Sequence, residues 1–178
     1  GSLGAGCIND TMAEVLKWHV SEKLEINHIH GYGGMGKESF PAKMQEYHIP
    51  MKNNRLRLTE YIHDMDTCMG AADLVVCRSG ANALAELQAL GKPSILIPSP
   101  IVAGNHQYHN AMVLGKAGAG IVMEQKDVTS QGMIDQIKML YHNKIKLQYM
   151  AKNAHALAIP DTEDRIWHVM ESLIKSGK

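Results

Sequence analysis

The sequence has no excess of charge of either sign, because 18 lysine and arginine residues balance 18 aspartate and glutamate residues. A chain without net charge has no bulk electrostatic field to attract nucleic acid or an anionic membrane surface. It also lacks an apolar run near the roughly 20 residues that cross a bilayer. The longest run, Ile95–Ile97 with its flanks, has the size of a strand. We therefore expect no nucleic-acid partner, and any anionic ligand must be held by local geometry.

Cysteine is scarce, and Cys7, Cys68 and Cys77 have no paired Cys-x-x-Cys spacing. This pattern argues against a disulfide framework and a zinc site, and it predicts reduced thiols in a cytoplasmic protein. No signal peptide is visible. Hydrophobic residues at 45% and charged residues at 20% are typical of a globular chain. Residues 1–178 are predicted to form a single domain.

Helical and strand-like segments alternate along the chain, which predicts an α/β fold with a parallel sheet. Strands are predicted at residues 25–30, 56–59, 73–77, 94–97 and 120–124. Helices are predicted at residues 8–20, around Met44, and at 65–72, 82–90, 105–116, 131–141, 144–157 and 162–174. The strand at 73–77 is interpreted as buried because of its β-branched residues.

The chain opens with Gly1-Ser2-Leu3-Gly4-Ala5 in front of an amphipathic helix. Glycines let the backbone approach an anion closely, and the first helical turn offers unpaired N–H groups and a positive dipole end. Ser2 can add a hydroxyl donor to a phosphate, whereas the alternative is an ordinary tight turn. Such a loop normally follows a strand. We therefore expect that a first strand is absent here and that the chain is a fragment of a larger protein.

A second polar turn begins at Arg78, at the strand end where open α/β sheets bind ligands. The N–H groups from Gly80 to Ala83 open the next helix and can face an anion. Glu86 lies one helical turn beyond Asn82, and its carboxylate can accept both hydroxyls of a ribose. The alternative is a capped helix with a solvated glutamate. Two loops suited to phosphate, at neighbouring strand ends, favour a nucleotide cleft.

The loop from Pro98 to Gln107 ends in side chains that both donate and accept hydrogen bonds, as sugars require. His106 and Gln107 are therefore candidates for contacting a sugar. His106 and His109 also have an i,i+3 spacing, but no nearby aspartate, glutamate or cysteine completes a metal site. The alternate histidines of the strand at 25–30 lack a third ligand too, so no metal is predicted.

Gly31-Tyr-Gly-Gly-Met-Gly36 formally satisfies the Gly-x-Gly-x-x-Gly pattern of dinucleotide sites, and Glu60 follows at a suitable distance. The preceding strand is polar, however, and Phe40-Pro41 interrupts the start of the helix that would carry the pyrophosphate. We interpret the segment as a flexible loop between strand and helix, with NAD binding as the alternative.

Taken together, the motifs resemble the C-terminal domain of the MurG family of glycosyltransferases, in order over essentially the whole chain. They are Gly1–Ala5, Tyr61–Met65, Ala72–Ala81, Ala85–Leu87, Gly91–Pro93, Pro98–Pro100, Asn105–Gln107, Asn110-Ala111 and Ile159–Asp161. The implied fold is a Rossmann-like parallel sheet with flanking helices, the C-terminal half of a GT-B glycosyltransferase.

By this resemblance the family's activity is transfer of GlcNAc from UDP-N-acetylglucosamine (UDP-GlcNAc) to undecaprenyl-pyrophosphoryl-MurNAc-pentapeptide. That reaction converts lipid I to lipid II in peptidoglycan synthesis, at the cytoplasmic face of the bacterial plasma membrane. The acceptor- and membrane-binding N-terminal domain, expected to hold the catalytic base, is absent from this sequence. We expect the fragment to bind donor weakly without catalysing transfer, and the resemblance implies neither a metal nor a cofactor.

The resemblance also implies the residues that bind UDP-GlcNAc. They are Ser2, Ile62, Ala81, Asn82, Ala83, Glu86, His106 and Gln107. Ser2 is expected at the diphosphate, the backbone of Ile62 at the uracil edge, and Glu86 at the ribose hydroxyls. Asn82 and its two alanine neighbours are expected to line the nucleotide, and Gln107, with the adjacent histidine, to hold the GlcNAc.

Three alternatives remain open from the sequence. The first is the donor-binding subunit of a two-chain GlcNAc transferase, in which a separate partner supplies the acceptor site. The second is a UDP-sugar epimerase on the same fold. An NAD-dependent oxidoreductase is the third, and it rests on the glycine pattern alone.

Overall fold

The computed structural model describes residues 3–176 and shows helices alternating with short parallel strands. The strands are β1 His28–Gly31, β2 Leu56–Thr59, β3 Val75–Cys77, β4 Ser94–Leu96 and β5 Gly120–Val122. The helices are α1 Gly6–Ser21, α2 Ser39–Glu46, α3 Met65–Ala71, α4 Ala81–Ala89, α5 His106–Lys116, α6 Ser130–Tyr141, α7 Lys144–Ala156 and α8 Thr162–Lys175. Short 3-10 turns occupy Gly34–Gly36, Ala103–Asn105 and Gln125–Asp127.

The strands form two parallel sheets. β1 pairs with β2, and His28 lies opposite Leu56 in the register. β3, β4 and β5 form the other sheet, with β4 in the centre. Within residues 3–176, no strand pairs β1 with β3. The predicted parallel α/β architecture is therefore confirmed, in two hydrogen-bonded parts.

Helix α1 holds the two sheets together because its buried residues enter two different cores. Ile8, Met12 and Val15 pack in the core that contains Ile95 and Ile97 of the β4 region. Ala13 and Leu16 instead join the core of the β1–β2 sheet. The members of that second core are Ala13, Leu16, Phe40, Met44, Ile49, Leu56 and Leu58. Because residues three to four positions apart lie on the same side of a helix, these two sets give α1 two apolar faces, one for each core.

A third core lies between α4, α5 and α7, with Leu87, Leu96 and Leu114 completely buried.

The helices that build these cores begin and end at recognisable signals. Thr129 Oγ1 accepts a hydrogen bond from the Gly132 N–H at the start of α6. Gly91 follows α4 with a φ of +58°, a backbone conformation that glycine adopts without strain.

The predicted elements are all present, but several boundaries differ from the sequence expectation. The first strand begins at His28 rather than at residue 25, after a turn in which Lys23 has a φ of +53°. β3 begins at Val75 rather than at Asp73, and it is half-buried rather than buried. Pro41 does not interrupt α2: it lies in the first turn of a helix that begins at Ser39, where a missing N–H costs no helical hydrogen bond.

Helix α8 differs from the others because its apolar side chains face outward. None of its residues is buried. Its exposed apolar residues are Ile166, Trp167, Val169, Met170, Leu173 and Ile174. An exposed apolar face of this kind marks a surface that another part of a protein can cover.

Candidate functional site

The turns that follow the carboxyl ends of β1, β3 and β4 lie at the edge where open α/β sheets bind ligands. The glycine segment from Gly31 to Gly36 follows β1, and the turn Arg78–Gly80 follows β3. The loop from Pro98 to Asn105 follows β4. The amino-terminal loop of α1 reaches the same edge, because Leu3 O accepts a hydrogen bond from the Met35 N–H at 2.9 Å. The loop before α1 and the segment after β1 therefore meet at the carboxyl end of β1.

The glycine segment packs directly against the loop before α1. Gly4 and Gly33 both have positive φ, at +79° and +67°. A β-carbon on either would come closer to the backbone of the other loop than real Cβ atoms come. The Asn9 side chain fixes the crossing by donating a 2.8 Å hydrogen bond to Tyr32 O. The segment is therefore a constrained crossing rather than the flexible loop that the sequence suggested.

Glu60, the acidic residue of the dinucleotide pattern, also has a local role. Its backbone carbonyl accepts a hydrogen bond from the Gly33 N–H at 2.9 Å. Its carboxylate lies 3.8 Å from Lys37 Nζ. The pattern of glycines and acid is thus accounted for by packing and pairing within the turn.

The turn between β3 and α4 presents open backbone N–H groups. Gly80 is the N-cap of α4, and the first N–H that returns to it is that of Leu84, at 3.1 Å from Gly80 O. The N–H groups of Ala81, Asn82 and Ala83 therefore precede the first intrahelical bond and carry the positive end of the helix dipole. Ala81 and Asn82 are exposed, and Ala83 is half-buried. This geometry suits an anion such as a diphosphate.

Glu86 is exposed on the same helix, one turn further along. Burial, and to a smaller extent the charge of Glu86, raises the pKa of Cys77 to about 12. Glu86 thus belongs to the second turn of α4, the helix that follows β3. Within the described part of the chain no side-chain hydrogen bond or ion pair occupies Glu86, so both oxygens are available to accept hydroxyl protons.

His106 and Gln107 open α5 with complementary hydrogen-bonding groups. His106 Nδ1 lies 2.9 Å from Ala103 O. A carbonyl can only accept, so Nδ1 carries the proton and Nε2 of the neutral ring is left as an acceptor. Gln107 Oε1 accepts a 3.0 Å hydrogen bond from the Ser99 N–H, which leaves its NH2 group as a donor. Together they offer one acceptor and one amide donor to a polyhydroxylated ligand.

Ile62 lies on the other side of this edge, in the segment after β2. Its side-chain carbons stand 3.4 Å from the position that a β-carbon on Gly31 would occupy. The half-buried Ile62 is thus beside the glycine segment, while the other six described candidates lie on α4 and α5. Ser2 is outside the described residues.

Two residues without a predicted role connect the strand ends. Arg78 donates from Nη1 to Ile97 O and Pro98 O, at 3.1 and 3.2 Å, and from Nη2 to Gln125 Oε1 at 2.5 Å. Burial lowers the pKa of Arg78 from its usual value. The completely buried Ser79 donates from Oγ to Gln107 O at 2.8 Å. The feature of the sequence that indicates both residues is their position, because they are two polar residues directly after a strand rich in β-branched residues.

The histidines of β1 pack together and do not form a metal site. His28 Nδ1 lies 3.2 Å from His19 Nε2, and His30 Nε2 lies 3.1 Å from Asn9 Oδ1. Burial lowers the pKa of His28 to about 3 and that of His30 to about 4, with the neighbouring histidines contributing at His28. Among residues 3–176, no group of three histidine, cysteine or acidic side chains could hold a metal ion.

The parallel strands with their flanking helices define an α/β domain of the Rossmann-like class. Comparison with known proteins identifies its family. Residues 1–166 match the family model described as the glycosyltransferase family 28 C-terminal domain. The chain belongs to this family.

The relatives with curated names agree with this placement. The chain is 40% identical over 176 residues to a protein of Acetivibrio thermocellus named UDP-N-acetylglucosamine–N-acetylmuramyl-(pentapeptide) pyrophosphoryl-undecaprenol N-acetylglucosamine transferase. That alignment covers 99% of this chain and 46% of the relative. A protein of the same name from Desulforamulus reducens is 38% identical over 176 residues, which are 98% of this chain and 47% of that protein.

The fold agrees with a solved structure as well. The crystal structure of MurG from Acinetobacter baumannii superposes with a TM-score of 0.79 at 28% identity, over 97% of this chain and 48% of that one. The predicted resemblance and fold class are thereby confirmed. The chain spans about half the length of the relatives that it matches. Across residues 3–176, none of the helices is both long enough and apolar enough to traverse a lipid bilayer.

Proposed function

We propose that this chain is the donor-binding part of a hexosyltransferase that moves GlcNAc from UDP-GlcNAc to undecaprenyl-pyrophosphoryl-MurNAc-pentapeptide. The names of the relatives describe such a transferase, and the family is one of glycosyltransferases. The single observation that carries the proposal is structural. The open N-terminus of α4, the helix that carries Glu86, is hydrogen-bonded through Ser79 to the start of α5, where His106 and Gln107 offer groups suited to a sugar. The product is lipid II, so the reaction serves peptidoglycan and cell-wall synthesis, and through it cell shape and the cell cycle.

Each group of candidate residues has a distinct task in this proposal. The N–H groups of Ala81, Asn82 and Ala83 bind the diphosphate, as does the hydroxyl of Ser2. Glu86 accepts the two ribose hydroxyls, and the backbone of Ile62 binds the uracil edge. His106 accepts from, and the Gln107 amide donates to, the hydroxyl groups of GlcNAc.

The chemical contribution of these residues is positioning and charge stabilisation. As the bond between GlcNAc and the β-phosphate breaks, negative charge accumulates on the departing UDP. The N-terminal end of α4 faces that charge without needing to reorganise, which lowers the barrier. We assign the general base that activates the acceptor hydroxyl to the other half of the protein, and we expect this chain alone to bind donor without catalysing transfer.

We propose that residues 1–178 form one domain and that an acceptor-binding domain and a further strand belong to the same protein. The supporting observations are the half-length match to relatives and the edges of β1 and β3 that face no partner strand within residues 3–176. We propose that the added strand pairs with both edges. Hydrogen exchange tests this: the edge amides should exchange more slowly in the intact protein, and equal rates would contradict the added strand.

In this account the intact protein is peripheral on the cytoplasmic face of the plasma membrane, and the acceptor-binding half makes the membrane contact. The function is tested by incubating the intact protein with labelled UDP-GlcNAc, with and without the undecaprenyl-linked acceptor. Transfer predicts a labelled lipid-linked disaccharide and UDP only when acceptor is present. Isomerised UDP-sugar formed without acceptor would instead identify an epimerase and overturn the proposal.

A further inference from the structure

Ser79 joins the turn before α4, whose N–H groups suit a phosphate, to the start of α5, whose side chains suit a sugar. It is the residue between Arg78 and the N-cap of α4, and its side chain is completely inaccessible to solvent. Its Oγ donates a 2.8 Å hydrogen bond to the backbone carbonyl of Gln107 in the first turn of α5. Its own carbonyl accepts a 3.5 Å hydrogen bond from Asn110 Nδ2, one turn further along α5. The start of α5 is therefore attached to the start of α4 at two points.

The position of the Gln107 amide depends on these attachments. Its Oε1 is held by the Ser99 N–H at 3.0 Å, and its backbone is held by Ser79. Because the backbone carbonyl and the side-chain oxygen of Gln107 are both held, its NH2 group has a fixed direction before a ligand binds. A pre-positioned donor loses less conformational entropy when it binds a ligand.

We propose that Ser79 is a positioning residue that sets the Gln107 amide for the sugar of the donor nucleotide and contributes little to binding of the nucleotide itself. This inference rests on the proposed function, because it assigns a second task to the same site. Ser79 does not contact the ligand: it acts through the backbone of Gln107.

The test compares the affinities of UDP-GlcNAc and UDP for the intact protein, with Ser79→Ala as the variant. We expect the Kd for UDP-GlcNAc to rise about fivefold, because a Gln107 side chain that is no longer held must lose conformational entropy when it binds the sugar, while the Kd for UDP changes less than about twofold. Ser94→Ala is the matched control. Ser94 is equally buried, but its Oγ has no hydrogen-bond partner, so both affinities should stay unchanged.

A double-mutant cycle separates positioning from a general structural effect. Once Gln107→Ala has removed the amide, Ser79→Ala should cause no further loss of UDP-GlcNAc affinity. An additional fivefold loss in that background, or equal losses for UDP and UDP-GlcNAc, would overturn the inference. Ser79→Cys retains the buried volume with a weaker donor, so it gives the same comparison if the alanine variant does not fold.

The outcome also distinguishes this inference from the proposed function. If the wild-type protein is folded and binds neither UDP nor UDP-GlcNAc, the donor site itself is wrong. If it binds both and Ser79→Ala changes neither affinity, the site stands and only the role of Ser79 is refuted.

Discussion

Gly33 and Gly4 cross so closely that a β-carbon on Gly33 would overlap the backbone nitrogen and α-carbon of Gly4. Both residues have positive φ, a region that costs little only for glycine. The crossing explains why a sequence that formally matches a dinucleotide fingerprint occurs in this chain. The glycines allow two loops to pass each other, and no pyrophosphate is needed to account for them.

Replacing Gly33 by alanine should therefore destabilise the fold. Alanine at a φ of +67° is strained, and its methyl group has no room beside Gly4. We expect a loss of about 3 kcal/mol or more in the free energy of unfolding, measured by urea denaturation. Gly70→Ala is the control, because a β-carbon at Gly70 meets nothing within 4 Å. A loss in Gly33→Ala no larger than that in the control would show that the crossing is not constrained.

The histidines of β1, of which His30 is buried and His28 is half-buried, predict a stability that falls in mild acid. The pKa of His28 is lowered to about 3 and that of His30 to about 4, whereas an unfolded histidine titrates near 6.5. As pH falls below about 6.5 the unfolded chain takes up protons that the folded chain does not bind. The free energy of unfolding therefore decreases from about pH 6.5 down to these folded pKa values, by up to about 1.4 kcal/mol per pH unit for each histidine.

The variant His30→Gln tests this dependence. Glutamine can still bond to Asn9 but does not titrate, so the slope of stability against pH between about 4.5 and 6 should decrease by about 1 kcal/mol per pH unit. The exposed His168 provides the control, and His168→Gln should leave the slope unchanged. Identical slopes for wild type and His30→Gln would contradict a neutral His30 in the fold.

Arg78 supplies a third prediction, because one guanidinium connects two backbone carbonyls and Gln125. Lysine has a single ammonium and cannot reproduce this planar geometry. Arg78→Lys should lower the free energy of unfolding by about 2 kcal/mol. The comparison is Arg165→Lys, where an exposed arginine pairs with Asp161 and the expected change is within about 0.5 kcal/mol. Equal changes in both variants would mean that the contacts of Arg78 add nothing.

Most of the fold could be predicted because its signals are local. The helices follow from apolar spacing and from end signals such as Gly91 after α4. The strand boundaries were less accurate, since pairing decides them: β1 begins only at His28, where its register with β2 begins. The two-part sheet was not predicted, because no local pattern records which strand edges meet.

The candidate site was predictable where chemistry follows directly from residue type. A carboxylate one turn into α4 and an amide at the start of α5 suggest their ligands without coordinates. Arg78 and Ser79 were missed as connecting residues because their partners, such as Gln107 and Gln125, lie far away in the sequence. The glycine segment misled for the same reason, since its contact is with a distant loop.

The central claim is that α4 presents a nucleotide-sugar site in which Glu86 accepts the ribose hydroxyls. The most direct test is calorimetric titration of the intact protein with UDP-GlcNAc, with UDP-GalNAc and NADH as competing ligands. Glu86→Ala is compared with Glu46→Ala, which removes an exposed glutamate from α2.

We predict selective UDP-GlcNAc binding that weakens about tenfold or more in Glu86→Ala, because hydrogen bonds to a charged group are lost, and that is unchanged in Glu46→Ala. Equal affinities of the two variants, or a folded wild-type protein that binds NADH in place of UDP-GlcNAc, would contradict the account.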